Sequence, residues 1–215
     1  MADTFHITKP VALGRPRGAH RFEAFSPKLA RRVMFYRRAL LEQWLLLEAN
    51  PKVITFCERP GYVLINDDRH LADFWAHYVD RDEFVVLSEL LGGSNGDASH
   101  AGRRTELDAG TADVRFVASA ELAAARAWTD NWQRILPYLV ANRGLVPATL
   151  PRAILQFVDE PRRLLDIERE FLTSEPVIVR AALFGLLHTG RVNASALQTQ
   201  PSSLLTSFTA LDPTS

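Results

Sequence analysis

The sequence predicts an α/β chain of the α+β kind, with a mixed sheet core flanked by helices and a small, mainly helical C-terminal domain. Three observations predict it. Short β-branched and aromatic runs recur between residues 53 and 118, separated by polar turns. A stripe of apolar residues at helical spacing precedes them, over residues 37–49. After about residue 146 the strand pattern gives way to short helical pieces punctuated by Pro147, Pro151, Pro161 and Pro176.

Taken in order, residues 1–30 form an irregular arm, because Pro10, Gly14, Pro16, Gly18 and Pro27 interrupt any long element. Arg32–Tyr36 suits a short strand. A helix follows to Ala49, with Leu40, Trp44 and Leu47 on one face. Asn50-Pro51 ends it, since a residue before proline is pushed out of the α region. Strands are expected at Val53–Cys57, Gly61–Ile65, His70–Val79 and Phe84–Leu91. The last two are joined by the tight charged turn Asp80–Glu83 and read as an antiparallel hairpin. Residues 92–113 read as loop, with at most a weak helix near Ser99–Leu107. Val114–Ala118 is a further strand, and 120–143 a helical region with Trp128 and Trp132 facing inward.

In the last third, Glu175–Thr189 is the clearest helix, with Ser174 as its expected N-cap and Gly190 as its stop. A short β-compatible piece at 191–193, a polar helix at 195–200 and the apolar stretch 204–211 come after it. Helix, turn, helix and a short ribbon in about 70 residues point to a winged-helix-like domain. The expected organisation is a basic arm at 1–30, a core domain at 31–145 and this domain at 146–215.

Composition narrows the functional classes. Hydrophobic residues make up 47% of the 215-residue chain and charged residues 23%, which suits a packed core rather than disorder. No apolar run reaches the roughly 18 residues of a membrane span, and MADTFHITKP has no signal-peptide pattern, so a cytoplasmic location is expected. The single Cys57 cannot form an internal disulfide and reads as a small buried hydrophobe in a strand. No histidine pair has zinc-ligand spacing, and His70 and His77 are weak metal candidates. Ser88 and His100 lie in no nucleophile elbow, and Gly92–Gly96 lacks a P-loop lysine. Net charge is zero, yet residues 9–38 hold nine Lys and Arg against one acid, Glu23. A basic segment on a neutral chain suits phosphate contact, here through Arg31, Arg32, Arg37 and Arg38.

The order helix, strands and acid-bearing hairpin is that of the PD-(D/E)XK nuclease core, a restriction-endonuclease-like fold. There, acids on neighbouring strands converge on a hard cation beside the scissile phosphate, and a lysine stabilises the developing charge. The resemblance sharpens at particular motifs. YRRALLEQWLLLEANPKVITFCERP, from Tyr36 to Pro60, resembles the TnsA pattern of a glutamate-bearing helix, an Asn-Pro-Lys-Val turn, a strand and a terminal Arg-Pro. RHLADFW resembles that family's aspartate-bearing strand. RAWTDNWQRILPYL and VIVRAALFGLLHTGRVNASAL are similar to its later helix and its C-terminal winged-helix segment.

The resemblance to the TnsA subunit of transposases implies a metal-dependent endonuclease acting on double-stranded DNA at mobile-element ends. It implies Mg²⁺, a partner transposase and an ATPase regulator. Residue by residue, it implies Asp73 as metal-binding aspartate, Glu89 as a second acid and metal ligand, and Glu42 as the helix acid. The sequence departs from the pattern at the following strand, Val85-Val86-Leu87-Ser88-Glu89. One register puts Leu87 at the acid position and Glu89 at the lysine position; another puts Glu89 at the acid and Leu91 at the lysine. The only lysines are Lys9, Lys28 and Lys52, so neither register supplies one. The helix position is shared between Glu42 and Leu40, two residues that point about 200° apart on a helix.

Three readings follow. The first is a TnsA-like endonuclease subunit. The second is a catalytically inactive pseudo-nuclease that binds DNA or assembles a transposition or recombination complex. The third is a winged-helix regulator with an unrelated N-terminal sheet.

Overall fold

In a computed structural model, residues 9–65, 68–88, 103–107 and 110–211 are described, the backbone alone over 103–112. The chain divides into two compact units. One comprises residues 1–47 and 52–124; the other comprises 48–51 and 125–215. The helix at 126–141 therefore falls within the second unit.

The first unit opens with a hairpin, β1 (Phe22–Ser26) and β2 (Arg31–Phe35), paired antiparallel with Phe22 opposite Phe35. The breakers in the sequence predict residues 22–26 as part of an irregular arm. FEAFS carries no β-branched residue, and its turn is closed by Ala30 at φ 52°, a left-handed conformation that alanine gives no hint of. The helix α1 (Arg38–Ala49) follows and buries Trp44, Leu45 and Leu47. Then come β3 (Val53–Glu58), β4 (Tyr62–Ile65), β5 (Asp68–Leu71), β6 (Phe74–Tyr78), β7 (Asp82–Leu87), β8 (Arg103–Leu107), β9 (Gly110–Val117) and the short α2 (Ser119–Ala124).

The main sheet is mixed, in the order β3-β6-β7-β9-β8. β3, β6 and β7 form an antiparallel meander, with Phe74 opposite Val85 across the expected hairpin. β9 runs parallel to β7, and β8 returns antiparallel beside β9. The weak helix expected near 99–107 is instead strand over 103–107, where its backbone pairs with β9. The expected strand 70–79 is two strands. It breaks at Ala72–Asp73: β5 pairs with β4 as a separate hairpin, and β6 joins the main sheet. The apolar run Leu71–Trp75 concealed that break, because the polar residue at the bend is Asp73 alone.

Alternation along the strands gives the sheet two buried faces. Cys57, Trp75, Phe84, Val86 and Val114 gather on one, together with Val63 and Ile65 from β4. Phe74 lies on the other, where its ring packs 5.9 Å from Phe35, which in turn packs 5.9 Å from Trp44 of α1.

The second unit contains α3 (Arg126–Ala141), α4 (Thr149–Phe157), α5 (Leu164–Glu170) and α6 (Pro176–His188). Three short strands, β10 (Arg162–Arg163), β11 (Val192–Asn193) and β12 (Ser207–Ala210), form an antiparallel sheet in the order β10-β12-β11. A 3-10 turn over Ser195–Gln198 stands where a polar helix was expected. Trp132 is fully buried and meets Trp128 edge-on at 5.7 Å. The α6 N-cap is Glu175, not Ser174, because Pro176 takes the first helical position and fixes its predecessor in extended backbone. Gly190 ends α6 at φ 70°, as the sequence predicts. Among the described residues no helix is long and apolar enough to cross a membrane.

Candidate functional site

The acid singled out by the sequence, Asp73, stands at the bend between β5 and β6. Its backbone is held on both sides: Asp73 N–H donates to the Val85 carbonyl at 2.9 Å, and the Arg59 N–H donates to the Asp73 carbonyl at 2.8 Å. Its side chain is buried, and each carboxylate oxygen accepts one hydrogen bond. Oδ1 accepts from Arg37 Nη2 at 2.9 Å, and Oδ2 accepts from the backbone N–H of Leu87 at 2.8 Å. Burial raises the Asp73 pKa above the ordinary aspartate value, and the Leu87 N–H and the Arg37 guanidinium pull against that shift without cancelling it.

One strand over, Glu58 ends β3 and is also buried. Arg31 grips it in a two-pronged pair, Nη1 to Oε1 at 2.7 Å and Nη2 to Oε2 at 2.6 Å. The pair explains how an acid can end an otherwise apolar strand. Beside it, burial and the Glu58 charge push the Cys57 thiol up to about 11. Arg59 follows in the left-handed region at φ 49°, an uncommon conformation for a side-chain-bearing residue. Its guanidinium donates to the carbonyls of Val11 at 3.1 Å and Met34 at 3.2 Å, while Val11 N–H donates back to the Arg59 carbonyl. Those three bonds hold the strained backbone and tie the N-terminal arm to the end of β3. Glu58 and Arg59 are not singled out as site residues by the sequence pattern. The available signal was Glu-Arg-Pro closing a β-branched strand, an acid and a base where a turn residue would serve.

The residues predicted to act on DNA divide into two groups. Arg31 and Arg37 face inward, each on a buried carboxylate. Arg32 and Arg38 are exposed; Arg32 lies 3.6 Å from Glu23, and Arg38 pairs with Glu42 at 2.8 Å, one helical turn on. Arg15, Arg17 and Arg21 are exposed as well, adding cations to the surface side of the arm. Glu42 is thus engaged along α1, and the structure does not join it to Asp73. Glu89 and Leu91 lie outside the described residues, as do Gly92–Gly96 and His100.

Whether these residues suit Mg²⁺ follows from the donor set. A hard cation needs carboxylate oxygens with free lone pairs converging on one point. Asp73 gives one lone pair of each oxygen to a protein donor, the Arg37 guanidinium and the Leu87 N–H, which leaves any cation competing with those donors for it. The N–H on the adjacent strand that Asp73 accepts from belongs to Leu87, whose own side chain is fully buried and apolar. Among the described residues no three His, Cys, Asp or Glu side chains gather to hold a metal. The described residues by themselves assemble no site for the ion. Both registers read from the sequence turn on Glu89, which lies outside the described residues. No protein-family model and no curated protein matches this chain.

Proposed function

We propose that this chain is a non-cleaving, DNA-binding subunit of a DNA-transposition or recombination complex, built on a nuclease-like core. The observation that carries the reading is the clamp on Asp73. The acid sits at the strand bend where the TnsA resemblance expects a metal ligand, and it is closed by Arg37 and the Leu87 N–H. A buried carboxylate committed to a guanidinium serves as a brace for β6, β7 and the segment leading into α1. The mixed sheet with its antiparallel meander and parallel fourth strand supports the nuclease-like core. The exposed arginines Arg15, Arg17, Arg21, Arg32 and Arg38 support the DNA contact, because a duplex is bound chiefly through its phosphates.

The second reading, a Mg²⁺-dependent TnsA-like endonuclease working with a partner transposase and an ATPase regulator, draws on the same strand-end position of Asp73. One experiment separates the two. Purified chain is mixed with labelled duplex DNA in gel-shift titrations over a range of salt, and with supercoiled plasmid in Mg²⁺ or Mn²⁺. The proposal expects salt-sensitive binding weakened by Arg15→Gln/Arg17→Gln/Arg32→Gln, and no nicking that depends on Asp73. Nicking abolished by Asp73→Asn would establish the endonuclease reading instead. Absence of any duplex binding would overturn both.

A further inference from the structure

The second unit holds a cleft of its own. It opens between α3, α6, the start of α5 and the segment preceding β12, with a volume of about 290 Å³. Its walls combine two characters. Ile135, Phe184 and Leu204 supply apolar surface, and Arg134, Arg180 and Ser202 supply polar groups. We propose that this cleft binds an organic oxyanion, a carboxylate carried on a compact apolar body.

The charge in the cleft sets the anion. Arg180 is half-buried, and its guanidinium is fixed in place: Nε donates to Glu168 and Nη1 donates to the Tyr138 hydroxyl at 3.0 Å. Glu168 balances the Arg180 charge, while Nη2 has no acceptor among the described residues. Arg134 has no ion-pair partner among the described residues. The cleft therefore offers about one uncompensated positive charge and an oriented N–H, a match for a monoanion better than for a dianionic phosphate. The apolar walls set the body. A small inorganic anion leaves Ile135 and Phe184 uncovered, whereas an apolar group removes them from water.

The wall is built in advance. Asn131 is buried, and its Nδ2 donates to the carbonyls of Leu197 at 2.7 Å and Gln200 at 2.8 Å. Its Oδ1 accepts from the Ser202 N–H at 2.8 Å. The Ser203 N–H then donates to Thr206 Oγ1 at 2.9 Å, and Leu165 N–H donates to the Leu204 carbonyl at 2.9 Å. The segment that closes the cleft is thus held at five points, so a ligand meets an ordered surface and loses little affinity to ordering it.

The test uses the full chain and three probes: 3-phenylpropionate, inorganic phosphate and 2-phenylethanol, each titrated by NMR. Phenylpropionate is expected to bind saturably, phenylethanol at least about tenfold more weakly for lack of one charge-assisted hydrogen bond, and phosphate at least about tenfold more weakly for lack of an apolar body to cover Ile135 and Phe184. Arg134→Gln is expected to weaken phenylpropionate about tenfold while leaving the melting temperature in place, because Arg134 is exposed and supports no other group. Phenylpropionate binding that is absent, matched by either control probe, or indifferent to Arg134→Gln would overturn the proposal. Asn131→Ala supplies a second check: if it folds and binds as the wild type does, the preformed wall is not part of the site. None of these outcomes bears on DNA binding by the first unit.

Discussion

The Arg37 guanidinium lies 2.9 Å from the carboxylate of Asp73, which is 36 residues away in sequence and buried at the bend between two strands. Arg37 itself is about a third exposed, at 36%. Removing one partner of a fully buried pair costs about 3–5 kcal/mol, and the exposure of Arg37 lowers the expectation for Arg37→Met to about 1–3 kcal/mol. Arg37→Lys should recover only part of that, since an ammonium lacks the planar fork. Urea denaturation measures both, and an Arg37→Met loss below about 0.5 kcal/mol would mean that the pair braces nothing.

Arg31 and Glu58 should be more strongly coupled than Arg37 and Asp73, because their pairing is two-pronged and Glu58 is almost entirely buried. A double-mutant cycle with Arg31→Met and Glu58→Gln is expected to give a coupling energy of about 1–3 kcal/mol. A coupling near zero would show Glu58 to be satisfied without Arg31.

The raised pKa of Asp73 fixes the sign of a pH effect. The folded protein holds the Asp73 proton more tightly than the unfolded chain does. The unfolded state therefore binds fewer protons between the ordinary aspartate value, about 3.9, and the raised folded value, and stability falls as pH rises through that window. Asp73→Asn removes the titration. Wild-type stability relative to Asp73→Asn should decline from its value below pH about 4 and level off above the window. Urea midpoints at a series of pH values test it; a rise in relative stability with pH would contradict the sign. Glu83, raised for the same reason, is common to both proteins and drops out of the difference.

Much of this fold was legible where the signal is periodic or steric. The apolar stripe of α1, its stop at Asn50-Pro51, the β6–β7 hairpin and the Gly190 stop follow from spacing and backbone chemistry. The break at Asp73 was not legible, because the residues on either side are apolar and a strand pattern carries no mark of a change of sheet. The hairpin of β1 and β2 was hidden for another reason: its turn uses Ala30 at positive φ rather than a glycine. Of the candidate site, Asp73 stood out as an acid among apolar neighbours. Its partner did not, since Arg37 reads as one of several basic surface residues and its pairing spans 36 positions. Only tertiary placement separates Arg31 and Arg37, turned inward, from Arg32 and Arg38, turned out.

Gly190 bears two independent demands within the second unit. Its φ is 70°, and a Cβ placed on it would lie 2.7 Å from Pro51 Cβ. The ring carbon cannot swing aside as a flexible side chain would. Gly190→Ala is expected to cost more than the roughly 1 kcal/mol of a left-handed alanine, on the order of 2–3 kcal/mol in all. Thermal denaturation checks it, and an unchanged melting temperature would show that α6 can end differently.

The proposed function turns on Asp73 acting as a structural brace rather than a metal ligand. Its most direct test is a titration of Mn²⁺ into the chain bound to duplex DNA, followed by electron paramagnetic resonance of the free ion, for wild type and Asp73→Asn. A brace leaves Mn²⁺ uptake the same in both proteins. Saturable uptake by wild type that disappears in a folded Asp73→Asn would contradict it, and would place the ion where Arg37 now holds the carboxylate.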